Sequence, residues 1–245
     1  MIRGDKTSKN FLYSMWARTI YRKNSFMLDF YTAPTPNGYK ISIALEEMGL
    51  AYKLHVVNLR AGEQKTEGYL KINPNGKIPT LVDHSNEQFN LSESGAILVY
   101  LAEKSGQFYG HDDNSRYLIL QWLMFQMSAL GPMMGQANVF FRYMEEKIPA
   151  AITRYHNEIK RLFGVMDQQL STHEFIAGDY SIADMACYPW VSIHDWSGVE
   201  IDGFPNLQNW YNKLSERPAI LKAMQLPPPF DRNEIVKSAQ KIITR

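Results

Sequence analysis

The spacing of apolar residues changes character once along this 245-residue chain, and that change restricts the fold more than any other feature. Up to about residue 108, short alternating runs and helical runs take turns; from Arg116 to about Arg217 only helical spacing recurs. Residues 27–32 read as an apolar strand, and Ala33-Pro34-Thr35-Pro36-Asn37-Gly38 as a turn. Ile41, Ile43, Ala44, Leu45 and Met48 then recur at helical spacing, and residues 52–59 alternate as a second strand. Residues 61–69 carry a short helical pattern. Residues 78–83 and 89–91 read as a strand pair, and an apolar helix runs from about Glu93 to Lys104. The order is βαβαββα over residues 27–105. His111-Asp112-Asp113-Asn114-Ser115 is a polar break suited to a domain boundary.

The second half predicts helices alone. Residues 118–130 form one long helix that Gly131-Pro132 is expected to interrupt. Pro149 suits the first turn of a helix running to about residue 170. Ser181-Ile182-Ala183-Asp184 has the spacing of a capping box, with Asp in place of Glu or Gln. Residues 206–217 make a further helix, Pro227-Pro228-Pro229 stops regular structure, and residues 231–243 can form a short last helix.

Composition removes several classes of function. Lys and Arg total 26 and Asp and Glu 25, so the net charge of +1 gives no global attraction to nucleic acid or to an anionic membrane. No apolar run approaches the roughly 20 residues of a membrane span. The single cysteine, Cys187, excludes an intrachain disulfide and a Cys-rich zinc site, and fits a reducing, cytoplasmic setting. It lies in an apolar helix and reads as a buried thiol. The six histidines lack metal-ligand spacing, so no metal is expected. In residues 1–26, Arg3, Lys6, Lys9, Arg18, Arg22 and Lys23 face one acid, Asp5, without the apolar stretch of a secretory signal. An amphipathic targeting arm and a plain upstream extension both fit.

Two segments could hold an anion. At Thr35–Asn37 a helix begins, and its free N–H groups and dipole favour negative charge. The Thr35 hydroxyl and Asn37 amide could donate to such an anion; an N-capped Pro-rich turn without ligand fits the same residues. At Glu93-Ser94 a second helix begins, again readable as a cap or as a carboxylate site. Tyr31, near the end of the first strand, is a rival hydroxyl and equally a packing residue. Tyr109, Trp122, Phe125, Phe140, Phe141 and Trp190 could line an apolar pocket or fill the core.

Three motifs occur in order: Asn75-Gly76-Lys77-Ile78-Pro79, Glu93-Ser94-Gly95-Ala96-Ile97 and Tyr180-Ser181-Ile182-Ala183-Asp184. Together they resemble the glutathione transferase superfamily over about residues 27–225. Ala33-Pro34-Thr35-Pro36-Asn37-Gly38-Tyr39-Lys40, Leu130-Gly131-Pro132-Met133-Met134-Gly135-Gln136 and Ile148-Pro149 narrow the likeness to the bacterial nu class of disulfide-bond oxidoreductases. A yeast nitrogen-regulatory prion protein has a more distantly similar globular domain. The resemblance implies an α/β plus all-α fold: an extension over 1–26, a thioredoxin-like domain over 27–108, an all-helical domain over 114–226 and a tail over 227–245.

It also implies glutathione as cosubstrate, a small disulfide or electrophile as its partner, and a homodimer. Thr35 and Asn37 would stabilise the glutathione thiolate. Glu93 would pair with the γ-glutamyl ammonium and Ser94 would bind its carboxylate. Ile78 would offer its backbone to the cysteinyl part beside a cis Pro79. Gln64 and Lys77 would reach the glycine carboxylate, and Arg154 a second glutathione. A redox-active thioredoxin fold places Cys-x-x-Cys at the first turn. This chain has none there, so any thiol chemistry must use a bound thiol.

Overall fold

The structure is a computed structural model that describes residues 27–229 together with Asp231 and Val236. The extension over 1–26 and the final helix over 231–243 lie outside the described residues. Four strands form one sheet in the order β2-β1-β3-β4: β1 (Leu28–Thr32), β2 (Tyr52–Val56), β3 (Thr80–Asp83) and β4 (Phe89–Ser92). β1 pairs with β2 in parallel, and β3 runs antiparallel to both β1 and β4. The second strand ends at Val56 rather than near residue 59.

Alternation along β1 assigns its faces. Leu28, Phe30 and Thr32 are buried, and Phe30 pairs with Leu81. On that face pack α1 (Pro36–Glu47) and α3 (Ser94–Ser105), whose apolar sides include Ile41, Leu45, Ile97 and Leu101. Full burial of each such side chain contributes about 1.5–3 kcal/mol. The other face carries Asp29, Tyr31 and Thr80 and meets α2 (Glu67–Ile72) through Tyr69, whose hydroxyl lies 2.9 Å from Thr80 Oγ1.

The helical half begins with α4 (Asp113–Phe125), whose start is a capping box between Asp112 and Ser115. The expected break at Gly131-Pro132 does not occur. A π-helical stretch, Gln126–Leu130, runs straight into α5 (Gly131–Ala137) and a second π stretch, Asn138–Tyr143. The widened turn, closed by Gly131 N–H on the Gln126 carbonyl, puts Pro132 at the start of α5, where its missing N–H is tolerated. α6 (Pro149–Leu170), α8 (Pro205–Ser215) and α9 (Pro218–Ala223) complete the helical half, and α7 (Ile182–Val191), of which every residue is buried, packs on α1, α3, α4, α5 and α8. None of these helices is long and apolar enough to cross a membrane, among the described residues.

α7 starts on the expected Ser181–Asp184 capping box. The Asp184 carboxylate, fully buried, accepts from Ile176 N–H at 3.0 Å, Ser181 N–H at 3.0 Å and Trp210 Nε1 at 2.8 Å. Burial raises its pKa to about 6 against these donors. α1 joins the two halves. Glu47 accepts a two-pronged ion pair from Arg217 at 2.7 and 2.8 Å and a bond from the Tyr180 hydroxyl at 3.0 Å. The Tyr39 hydroxyl donates to the Pro227 carbonyl at 3.0 Å. The helical half therefore sets where the start of α1 points.

Candidate functional site

The start of α1 is built from a short turn. Thr35 is the N-cap, and its Oγ1 accepts from Gly38 N–H at 3.2 Å, which leaves its own proton free to be donated. Pro36 takes the first helical position. A Cβ on Gly38 would collide with the Ala33 carbonyl and the Thr32 hydroxyl, so only glycine lets the helix begin this close to the strand end.

Asn37 Oδ1 accepts from Trp190 Nε1 at 3.1 Å. An indole N–H can only donate. The amide oxygen is therefore turned toward Trp190, and Nδ2 keeps its two donors for whatever lies at the helix start. Gly131 and Gly135, one turn apart on α5, pack beside the Trp190 ring, and a Cβ at Gly131 would run into Gln126 Nε2. An anion at this point would meet a helix dipole, a hydroxyl donor and an amide donor. No protein thiol is available to it. Cys187 is fully buried in α7, and burial, then the Asp184 charge, pushes its thiol well up.

Two further segments lie alongside. In the loop before β3, Asn73 Nδ2 donates to the Lys77 carbonyl at 2.7 Å and Tyr69 to the same oxygen at 2.8 Å. The Ile78–Pro79 bond is cis, as expected. Lys77 is exposed, and Gln64 is half-buried, with its backbone carbonyl against Gly76. The Gln64 Oε1 atom is buried with no protein partner among the described residues. At the start of α3, Glu93 has φ 69° and ψ 114°, a conformation that costs a non-glycine residue about 1–3 kcal/mol. Asn75 Nδ2 reaches Glu93 Oε1 at 3.5 Å and so ties the loop to this helix start. Ser94 is buried, and its Oγ accepts from Lys40 Nζ at 3.3 Å.

Pairwise contacts thus join the segments that carry the expected residues: Lys40 links α1, which follows Thr35 and includes Asn37, to Ser94; Asn75 links the loop of Lys77, Ile78 and Pro79 to Glu93; and Gln64 meets that loop at Gly76. Arg154 stands apart, exposed on α6, and among the described residues no hydrogen bond or ion pair joins it to them. Tyr31 points to the opposite face of the sheet, stacked on His55 at 4.3 Å. Of the expected pocket aromatics, Trp190 lines a cavity of about 250 Å³ with Asn37, Lys40, Gln126 and Gln136. Trp122 packs on Phe125, Phe140 on Tyr155 and Phe141 on His156. A second cavity, about 440 Å³, opens beside Pro34 and Pro36 and is walled by Tyr39, Tyr188, Trp196 and Tyr211.

Lys40 and Gln126 had no assigned part in the sequence reading. One signal was legible: Lys40 shares the 40, 44, 48 face of α1 with Ala44 and Met48, so a lysine falls where the helix is buried. Nothing local points to Gln126.

Known proteins share this arrangement. The profile of the glutathione S-transferase N-terminal domain matches residues 35–104, and that of its C-terminal domain residues 131–218. The disulfide-bond oxidoreductase YfcG of Escherichia coli is 44% identical over 203 residues, 81% of this chain and 94% of that protein. A glutathione transferase homolog from Lodderomyces elongisporus, solved with two glutathiones per subunit, superposes with a TM-score of 0.78 at 38% identity, covering 82% of this chain and 99% of that one. A glutathione transferase from Pseudomonas putida, solved with one glutathione disulfide per subunit, gives 0.78 at 41% identity, covering 86% and 96%. With both halves of the fold matched in order and the site formed where they meet, the chain belongs to the glutathione transferase superfamily.

Proposed function

We propose that this protein is a glutathione-dependent disulfide-bond oxidoreductase. The observation that carries the reading is the start of α1: donors from Thr35 and Asn37 stand at a helix N-terminus that has no cysteine, so the site is suited to a thiolate brought by a cosubstrate. The YfcG name and the relatives solved with glutathione support the choice of thiol.

The chemistry is two exchanges. The bound glutathione thiolate attacks one sulfur of a disulfide; a mixed disulfide forms, the original S–S bond breaks, and the departing thiolate takes a proton from solvent. A second glutathione thiolate attacks the glutathionyl sulfur and expels the remaining substrate thiolate. The substrate gains two electrons, and two glutathiones leave as glutathione disulfide. Thr35 and Asn37 hold the first thiolate. Ile78 offers its backbone to the cysteinyl unit beside Pro79. Glu93 takes the γ-glutamyl ammonium, and Ser94 its carboxylate. Gln64 and Lys77 serve the glycine carboxylate, and Arg154 a carboxylate of the second glutathione. The organic part of the substrate would face the aromatic cavity beside Pro34. Pairing as a homodimer and residence in a reducing cytoplasm belong to the same reading.

The test is reduction of hydroxyethyl disulfide coupled to glutathione reductase, run beside conjugation of chlorodinitrobenzene, for wild type, Thr35→Ala and Asn37→Ala. Strong reduction, weak conjugation and a large loss in either variant are expected. Conjugation that exceeds reduction would make the protein an ordinary transferase; glutathione binding without turnover would make it a regulatory module.

A further inference from the structure

Lys40 is the only buried cation among the described residues, at 1% exposure, and no step above uses it. It lies one turn beyond Asn37 on α1. Its Nζ donates to Ser94 Oγ at 3.3 Å and to Gln126 Oε1 at 2.5 Å, and touches Met127 Sδ at 3.3 Å. Taking an ammonium out of water is costly, and an apolar side chain of equal length would fill the same space without that cost. Burial pulls the Lys40 pKa down to about 7, opposed by the Cys187 sulfur and the Glu93 carboxylate.

The chemistry of the contacts says what the ammonium adds. Lysine only donates, whereas a hydroxyl and a primary amide can present either polarity. By donating to both, Lys40 claims the Ser94 lone pair and the Gln126 oxygen. The Ser94 proton must then go elsewhere, and its present neighbour is the weak Met127 thioether at 3.7 Å. Gln126 Nε2, fully buried, is turned away from Lys40 and has no protein partner among the described residues. Two ambivalent groups are thereby fixed as donors beside the α3 start.

We propose that Lys40 is a positioning residue for glutathione, acting through Ser94: it fixes the hydroxyl as a donor to the γ-glutamyl carboxylate and supplies positive charge beneath it. This rests on the glutathione reading above. A carboxylate at the α3 start displaces the thioether as acceptor, because a charged oxygen accepts far more strongly than sulfur.

The test is titration calorimetry with reduced glutathione, with kcat and KM from the disulfide assay, for wild type, Lys40→Met, Ser94→Ala, the double variant K40M/S94A and the paired apolar variant K40M/Q126L. Lys40→Met is expected to weaken glutathione binding about tenfold. The loss appears in KM for glutathione, while kcat at saturation stays within about threefold. K40M/S94A binds no worse than the weaker single variant, since both remove the same contact. K40M/Q126L removes both members of the Lys40–Gln126 pair and leaves Ser94 in place, so it melts closer to wild type than K40M and yet binds as weakly as K40M. Wild-type affinity in K40M or in K40M/Q126L would overturn the inference, and so would losses in K40M and S94A that multiply. Failure of the wild type to bind glutathione would overturn the site reading itself.

Discussion

Replacing Trp190 by phenylalanine removes one N–H from the site and keeps an aromatic ring. That N–H sits 3.1 Å from Asn37 Oδ1 and sets which way the amide faces. With it gone, the two amide orientations differ by about 1 kcal/mol less, the net worth of a neutral hydrogen bond. One of them turns the amide oxygen toward the bound sulfur. The expected loss in kcat/KM for disulfide reduction is at most about fivefold, since each 1.4 kcal/mol is tenfold. Asn37→Ala removes the donor outright. A hydrogen bond to a charged sulfur contributes about 1.5–3 kcal/mol, so its loss is about 10–150-fold. The bound thiol should also titrate higher, by about one to two units in Asn37→Ala and by less than about one unit in Trp190→Phe. The pH dependence of kcat/KM reads this shift, at a temperature well below each variant's melting point. The decisive measurement is the double variant. If Trp190 acts only through Asn37, Trp190→Phe costs nothing further on the Asn37→Ala background. Undiminished activity in Trp190→Phe, or a full additional loss in the double variant, would refute the reasoning.

Asp184→Ala strands the buried N–H groups of Ile176, Ser181 and Trp210 at about 1–3 kcal/mol each, enough to consume most of a typical domain's stability; thermal melts should show a collapse that Trp210→Phe, which removes one donor with its need, does not approach. Gly38→Ala forces a Cβ into the Ala33 carbonyl and the Thr32 hydroxyl, so it should cost about 1–3 kcal/mol and misplace the α1 start. A melting curve and the disulfide assay check both effects together. Asp83 sits at the end of β3 with Lys104 at 2.7 Å, the Tyr100 hydroxyl at 2.7 Å and Ser85 N–H at 2.8 Å. Burial raises its pKa, but these donors outweigh burial and bring it from 3.8 to about 2. Its folded value lies below its unfolded one. It therefore contributes roughly 2 kcal/mol that is fully present above about pH 4 and lost as pH falls toward about 2. Acid unfolding of wild type against Asp83→Asn measures it, and identical acid limbs would contradict it.

Much of this molecule could be read from local pattern. The change of apolar period separated the sheet from the helices, because strand and helix bury alternate and every third or fourth residue respectively. Helix starts were legible where one side chain satisfies one nearby N–H: Pro149 opens α6, and Ser181 with Asp184 opens α7. The absence of cysteine at the first turn limited the chemistry before any coordinates. Gly131-Pro132 misled, since both residues usually end helices. What local pattern could not supply was the widened turn before them, closed by the Gly131 N–H on the Gln126 carbonyl.

The decisive contacts of the site are long-range. Trp190 is 153 residues from Asn37, and Lys40 is 54 from Ser94 and 86 from Gln126. Thr35 and Asn37 could be named as donors from the turn they occupy, but which way the amide faces depends on a donor from the other half of the chain. The same holds for Lys40, whose place on a buried face was visible but whose partners were not. Composition and spacing thus determined the two halves of the fold, the helix starts and the lack of a cysteine at the first turn, because those follow from the residue order and from neighbours a turn apart. Only the docking of α1 against α3, α7 and the π-helical stretch Gln126–Leu130 decided the polarity of the groups at the site, because a hydroxyl or an amide becomes a donor only when something else has taken its lone pair.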